Sequence, residues 1–297
     1  MTIKHIVLSG GSYKGLYSLG ALYQLSKKNF YCIDNIKSIF ATSIGTVLGA
    51  ILQLNMDWDD VLDYIIKRPW HKTFELPPDM IFEVMGKKGF LNIDILISIL
   101  EKLFSVKDLQ LKTITLQEFY DFSKIEFNLF SLHLNHFSVE NFSYLTHPDL
   151  KLIDAIYMSC SIPFIFQPLF FEGSYMVDGG VLCHFPLQEC LDKYKNKDEI
   201  LGIHIKSDKM QEVISKEANL FTYSYYMFDC LVRRANRSIP LDIPYCVIIP
   251  CLGSNTDILH KLINIEKERQ KCIEEGKKYA DLFLSYKQLQ GGMEKLS

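Results

Sequence analysis

A chain of 297 residues with 48% apolar and 23% charged side chains is long enough for a large core, because a chain of this size hides about three quarters of its unfolded surface. Its 32 basic and 35 acidic residues give a net charge of −3, which excludes a bulk attraction to nucleic acid or anionic lipid, and the composition excludes disordered, collagenous and short-repeat classes. The 8 cysteines form no C-x-x-C pair, so free thiols in a reducing compartment are expected and a zinc site is not.

The opening MTIKHIVLSGG has only Ile6 to Leu8 as a continuous apolar stretch, too short for a secretory h-region. A cytoplasmic protein, peripheral at membranes, is expected. Residues 3–8 read as a buried strand ended by Ser9-Gly10-Gly11, and Gly15 to Lys28 sets Leu16, Leu19, Leu22, Tyr23 and Leu25 near helical spacing. Residues 36–42 read as a second strand running into a helix over 44–54, and this β-α-β-α opening favours a parallel sheet with helices on its faces. The uncharged run Ser38 to Met56 has the length of a membrane helix. Its Thr42, Ser43, Thr46, Gln53 and Asn55 instead suit a strand turning into a buried helix.

From Asp57 to Tyr120 the pattern is mainly helical: Trp58 to Lys67, a Pro77-Pro78 start before Asp79 to Met85, Asp94 to Phe104, and a Thr115 cap with Glu118 as its box partner. This insertion is expected beside or over the sheet. Residues 125–133 and 137–145 alternate as strands joined near Asn135, followed by a helix from Asp149 to Ser159 and then SIPFIFQPLFFEGSYMVDGG. Residues 200–205 and 245–249 are further strands, separated by a helix from Gln211 to Arg234. One amphipathic helix over 257–286 packs on the core, and Gly291 to Ser297 should fray. The expected division is a main unit over 1–210 and a C-terminal extension over 211–297 with one more strand and helices.

Three short motifs carry chemistry. Gly10-Gly11-Ser12-Tyr13-Lys14-Gly15 stands between a strand and a helix, where backbone N–H groups can converge on negative charge. It fails the phosphate-loop pattern, because Leu16-Tyr17 follow Gly15, and it fails the dinucleotide pattern, because Ser12 occupies the middle glycine position. A plain glycine turn is the other reading. Ala41-Thr42-Ser43-Ile44-Gly45 fits a nucleophile elbow, in which small residues two places either side of the serine relieve crowding, and a buried helix-capping serine is the alternative. Asp178-Gly179-Gly180 ends a strand at Val177, although Asp-Gly alone is a common turn.

In their order and contexts, these motifs together with SIPFIFQP before VDGG resemble the patatin-like phospholipases over about residues 5–206. The resemblance implies an α/β fold, a three-layer α/β/α sandwich with a mainly parallel central sheet and a C-terminal helical extension. It implies a metal-independent serine acyl hydrolase with a Ser43 nucleophile and an Asp178 base. Gly10, Gly11 and Ser12 fall on the family's oxyanion loop, Lys14 falls where the family has Arg or Lys, Gly15 supports the loop, and Ala41 and Gly45 flank the elbow. Ser12, Ala41 and Cys183-His184 depart from the family pattern, at its third loop glycine, its first elbow glycine and its two asparagines after the D-G-G turn.

His184 lies six residues beyond Asp178 and just before Phe185-Pro186, so a structural or pocket-lining role is expected rather than membership of a triad. The remaining histidines show no metal spacing. Phe164 and Phe166 either line an acyl-chain groove or belong to the core. Arg233, Arg234 and Arg237 form a small basic cluster, a solvated face or a contact for phosphate headgroups. The expected partners are a phospholipid or other acyl lipid and, transiently, a membrane surface, with no cofactor and no nucleic acid; a protein activator and the oligomeric state stay open. The readings from other classes are a catalytically silent patatin-like interaction or lipid-binding protein and a nucleotide-binding domain.

Overall fold

A computed structural model describes residues 2–74, 86–208, 214–218, 220–236, 241–252 and 256–294. The sequence elements Asp79 to Met85, the start of the helix at Gln211, and Arg237 lie outside the described residues.

Strand β1 (His5–Leu8) leads through a single 3₁₀ turn at Ser12–Lys14 into α1 (Gly15–Lys27). Strand β2 (Ser38–Thr42) runs directly into α2 (Ile44–Gln53), so the uncharged run is a strand and a buried helix. Next come α3 (Trp58–Lys67), the short α4 (Trp70–Thr73), α5 (Asp94–Ser105) and α6 (Leu116–Ser123). The Thr115 hydroxyl accepts from the Glu118 amide while the Glu118 carboxylate accepts from the Thr115 amide, which satisfies two end donors of α6 reciprocally. The inserted helix α5 packs on α2 and α7 (Leu152–Cys160). Strands β3 (Glu126–His133) and β4 (Ser138–Phe142) form the expected hairpin. A second hairpin, β5 (Leu169–Phe171) with β6 (Ser174–Asp178), lies in the Pro- and Phe-rich stretch whose first strand had no alternating signal. Helix α8 (Leu187–Lys193), β7 (Ile200–Asp208), α9 (Leu220–Ala235) and β8 (Tyr245–Leu252) follow.

The sheet order is β5-β6-β3-β2-β1-β7-β8, with β4 also on β3. The pairs from β3 through β2, β1 and β7 to β8 are parallel, and those made by β4, β5 and β6 are antiparallel. Strand β8 thus adds the C-terminal extension to the same sheet. Period-two alternation divides the side chains between two faces. Ile6, Leu8, Ile39, Ala41 and Leu129 join a large core with α1, α2 and α7, whereas Val7, Phe40 and Phe130 meet Leu187 and Cys190 of α8. The result is three layers, one of them thin.

The expected single C-terminal helix is two, α10 (Thr256–Asn264) and α11 (Glu266–Glu294), separated at Ile265. The break has a partner that periodicity does not reveal: the buried Arg269 guanidinium donates to the carbonyls of Leu262 and Ile263, and also to those of Ile66 and Arg68 at the end of α3. Helix α11 continues past Gly291 to Glu294, beyond the point where fraying was expected. Among the described residues no helix is long and apolar enough to cross a membrane.

Candidate active site

The register of β3 explains why two residues distant in sequence meet. Leu129 and Phe130 pair with both β2 and β4, so those strands lie on opposite edges of β3. Residues Ser131 to His133 pair with both β4 and β6, which places β6 on the β2 edge. Strand β2 ends with Thr42 opposite Phe130, and β6, running the other way, ends with Asp178 opposite Ser131. The two strands therefore arrive nose to nose, and the residues that follow turn out of the sheet side by side.

Ser43 takes φ 54° and ψ −129° at this turn, a region that costs a non-glycine residue about 1–3 kcal/mol and persists only where its surroundings enforce it. The enforcement is visible. The Ser43 amide donates to Ser159 Oγ at 2.9 Å, the Ser159 hydroxyl donates to the Phe130 carbonyl at 2.5 Å, and the Ser43 carbonyl accepts from the Thr46 amide and hydroxyl. A Cβ on Gly45 would lie 2.7 Å from the Leu8 carbonyl oxygen, so only glycine fits there. Ala41 is fully buried in β2 and its methyl is accommodated.

Ser43 Oγ donates to Asp178 Oδ2 at 2.5 Å, and the Gly180 amide donates to Asp178 Oδ1 at 2.7 Å. Both side chains are buried. Burial raises the Asp178 carboxyl from 3.8 to about 6, against the opposing pull of the Ser43 and Gly180 hydrogen bonds, which brings it close to the range suited to a general base near neutrality. A Cβ on Gly179 would come 2.3 Å from the Phe130 carbonyl oxygen, so this glycine lets the acid turn close against β3. The Asp178 amide itself donates to the Ser161 carbonyl at 2.9 Å.

The glycine-rich loop completes the arrangement. Gly11 has φ 151° and its absent Cβ would sit 2.5 Å from Ile205 Cδ1, while Ser12 adopts φ 53°. The amides of Gly11 and Ser12 donate to no other group among the described residues, whereas the Gly10 amide is taken by the His184 carbonyl at 2.8 Å. Two free donors, Gly11 and Ser12, therefore remain at the start of α1, and Gly10 serves the loop by lying close to Ser43 and His184. A Cβ on Gly15 would strike Ile44 at 2.4 Å, so this residue lets α1 and α2 begin side by side. Lys14 immediately precedes α1, makes no capping hydrogen bond through its side chain, and lies with its ammonium over the Tyr13 ring.

His184 bonds neither reacting group. Its Nε2 faces the Ile205 carbonyl at 3.2 Å, an acceptor that requires the proton on Nε2, and burial lowers its pKa. The neutral ring lines the loop beside Gly10. Phe166 packs edge-on against Tyr157 in the core, and Phe164, partly exposed, meets Phe228 of α9. Arg233 pairs with Asp229. Among the described residues no group of three His, Cys, Asp or Glu side chains could hold a metal.

Three contributors have roles that no motif announces, although Ser161 opens the SIPFIFQP stretch. Ser159 and Ser161 fix the backbone of Ser43 and Asp178 from α7 and its end. Asn236, just after α9, donates from Nδ2 to the Gly180 and Val181 carbonyls and accepts the His184 amide on Oδ1. It clasps the acid turn from a remote part of the chain. A cavity of about 400 Å³ lies elsewhere, over the thin face of the sheet beside Phe40, Glu126 and Lys193.

Residues 6–191 match the model of the Patatin-like phospholipase family. "Probable lipid hydrolase 463L" of Invertebrate iridescent virus 6 is 26% identical over 194 residues, 65% of each chain, so the present chain spans just under two thirds of that relative. "Uncharacterized protein R571" of Acanthamoeba polyphaga mimivirus is 27% identical over 255 residues, 81% of this chain and 83% of its own. The crystal structure of VipD from Legionella pneumophila superposes with a TM-score of 0.56 at 17% identity, covering 96% of this chain and 67% of VipD, which shows a shared fold.

Proposed function

The chain belongs to the patatin-like phospholipase family, and we propose that it is a lipid acyl hydrolase cleaving carboxylic esters of phospholipids or lysophospholipids through a Ser43–Asp178 dyad without a metal. The observation that carries this reading is the 2.5 Å hydrogen bond from Ser43 Oγ to an Asp178 carboxyl held near 6. As Ser43 Oγ attacks the ester carbonyl carbon, Asp178 Oδ2 takes the hydroxyl proton and then returns it to the departing alkoxide, leaving an acyl-serine. Water attacks that ester with Asp178 again accepting the proton, and the fatty acid leaves as Ser43 is restored. The tetrahedral oxyanion formed in each half is received by the Gly11 and Ser12 amides, and one such donor is worth about 3 kcal/mol of barrier. Histidine is not needed, because the carboxylate reaches the hydroxyl directly.

The intact dyad and the unoccupied loop donors speak against a silent scaffold. The test is fatty-acid release from mixed phospholipid vesicles in EDTA, read by mass spectrometry. Release by the wild type, and not by Ser43→Ala or Asp178→Asn, is expected, and the products identify the headgroup and the ester cleaved. Equal release by Ser43→Ala would contradict the assignment.

A further inference from the structure

Helix α9 has a composition that calls for a covering it does not receive from the described residues of its own chain. Its sequence, LFTYSYYMFDCLVRRA, is mostly aliphatic and aromatic, yet among its described side chains none is buried. Leu220, Tyr223, Met227 and Leu231 are 79%, 51%, 46% and 63% exposed. Their spacing of three, four and four residues puts them on one narrow stripe of the helix. Arg234 continues the stripe at its C-terminal end and is exposed. The helix has a single carboxylate, Asp229, which lies off this stripe and is paired with Arg233.

The helix is also fastened to the catalytic centre. Phe228 packs edge-on against Phe164, and Asn236, at the end of α9, holds the Gly180 and Val181 carbonyls of the acid turn. An apolar stripe free of acid, closed by a cation and bordering a site that works on acyl lipids has the chemistry of an element lying in a lipid interface. A second copy of this chain is a poorer occupant. At about 200 Å² per large side chain, the exposed parts of the four sum to on the order of 480 Å², against about 800 Å² per partner for a stable protein interface.

We propose that α9 is the lipid-docking element, inserting the Leu220–Leu231 stripe into the surface of a phospholipid bilayer so that the Ser43 site faces its substrate. This rests on the lipid-hydrolase reading for the identity of the occupant, and it adds the face of the molecule that meets the lipid.

The experiment is flotation with dioleoylphosphatidylcholine vesicles of the full chain carrying Ser43→Ala, so that binding is read without turnover. Adding Leu220→Glu and Leu231→Glu together should lower the bound fraction about tenfold, whereas Val106→Glu, at an equally exposed apolar residue at the end of α5, should leave it unchanged. The double variant with Ser43 intact should still hydrolyse a water-soluble short-chain ester within about twofold of wild type, which shows that it folds. Unchanged flotation of the double variant, or no flotation of its parent, would overturn the proposal. So would conversion of a dimer to a monomer in sedimentation with flotation intact, which would assign the stripe to a second copy. Docking without fatty-acid release by the intact enzyme would sink the hydrolase reading and leave the docking face standing.

Discussion

Helix α1 is gripped at two places, and glycine makes both possible in opposite ways. At its start, the absence of a side chain on Gly11 and Gly15 allows a loop with a left-handed Ser12, amides without acceptors, and direct contact with the strained elbow at Ser43. In its middle, Gly20 and Gly276 let α1 and α11 touch backbone to backbone, since a Cβ on Gly20 would lie 2.1 Å from the Ile273 carbonyl oxygen and one on Gly276 would lie 2.0 Å from that of Tyr17. The seam is close-packed, and it secures the C-terminal extension to the first helix. The loop keeps the Gly11 and Ser12 amides without acceptors among the described residues, the donors that the proposed oxyanion site requires. Changes at the two places should accordingly separate chemistry from stability.

The sharpest separation comes from Ser43→Ala, which should abolish ester hydrolysis by about 10⁴-fold or more while leaving the thermal midpoint near or above that of the wild type, because the substitution removes the reacting hydroxyl. Steady-state kinetics beside calorimetry checks it. Gly276→Ala is the mirror case: the new methyl must push α1 away from α11, and a loss of about 2–4 kcal/mol of stability is expected in denaturant titration, with kcat per folded molecule unchanged. A drop in kcat larger than the drop in folded fraction would show that the seam reaches the chemistry after all.

Asp178 offers an intermediate test with a definite sign. Its carboxyl is near 6 in the fold against about 4 in the unfolded chain, so the native state holds the extra proton between those values and stability falls as pH rises through that window. Asp178→Asn should therefore be inactive and more stable than wild type above pH 6, by up to about 3 kcal/mol, with the advantage shrinking toward pH 4. Thermal melts across that range read it directly; a constant difference would mean that the carboxyl is not shifted by burial. The smallest effect belongs to Asn236→Ala, which should lower kcat about tenfold through a loosened acid turn and move the acid limb of the pH profile, whereas a purely structural role would leave that limb in place.

How far the sequence carries this account depends on the distance over which each constraint acts. The elbow, the glycine loop, the Thr115–Glu118 box and the main strands are local patterns, and they lie where the residues indicate. The family motifs likewise mark Ser43 and Asp178, but their approach follows from the register of β3, which no linear pattern encodes. Gly10 looks like an oxyanion donor until the His184 carbonyl is seen to take its amide. Asn236 and Arg269 act on backbone carbonyls far away in sequence, and asparagine or arginine on a helix announces nothing of the kind. The split of the last helix at Ile265 is equally invisible in the sequence, because an amphipathic period continues across a break that a buried guanidinium satisfies.

The measurement that bears most directly on the central claim is the rate of fluorophosphonate labelling of Ser43 as a function of pH, with the site identified by mass spectrometry, in the wild type, Asp178→Asn and His184→Ala. The dyad predicts labelling at Ser43 that rises with an apparent pKa of about 6, falls at least about 10³-fold in Asp178→Asn, and survives in His184→Ala. Labelling that persists without Asp178 and disappears without His184 would place the base on the imidazole and contradict the account.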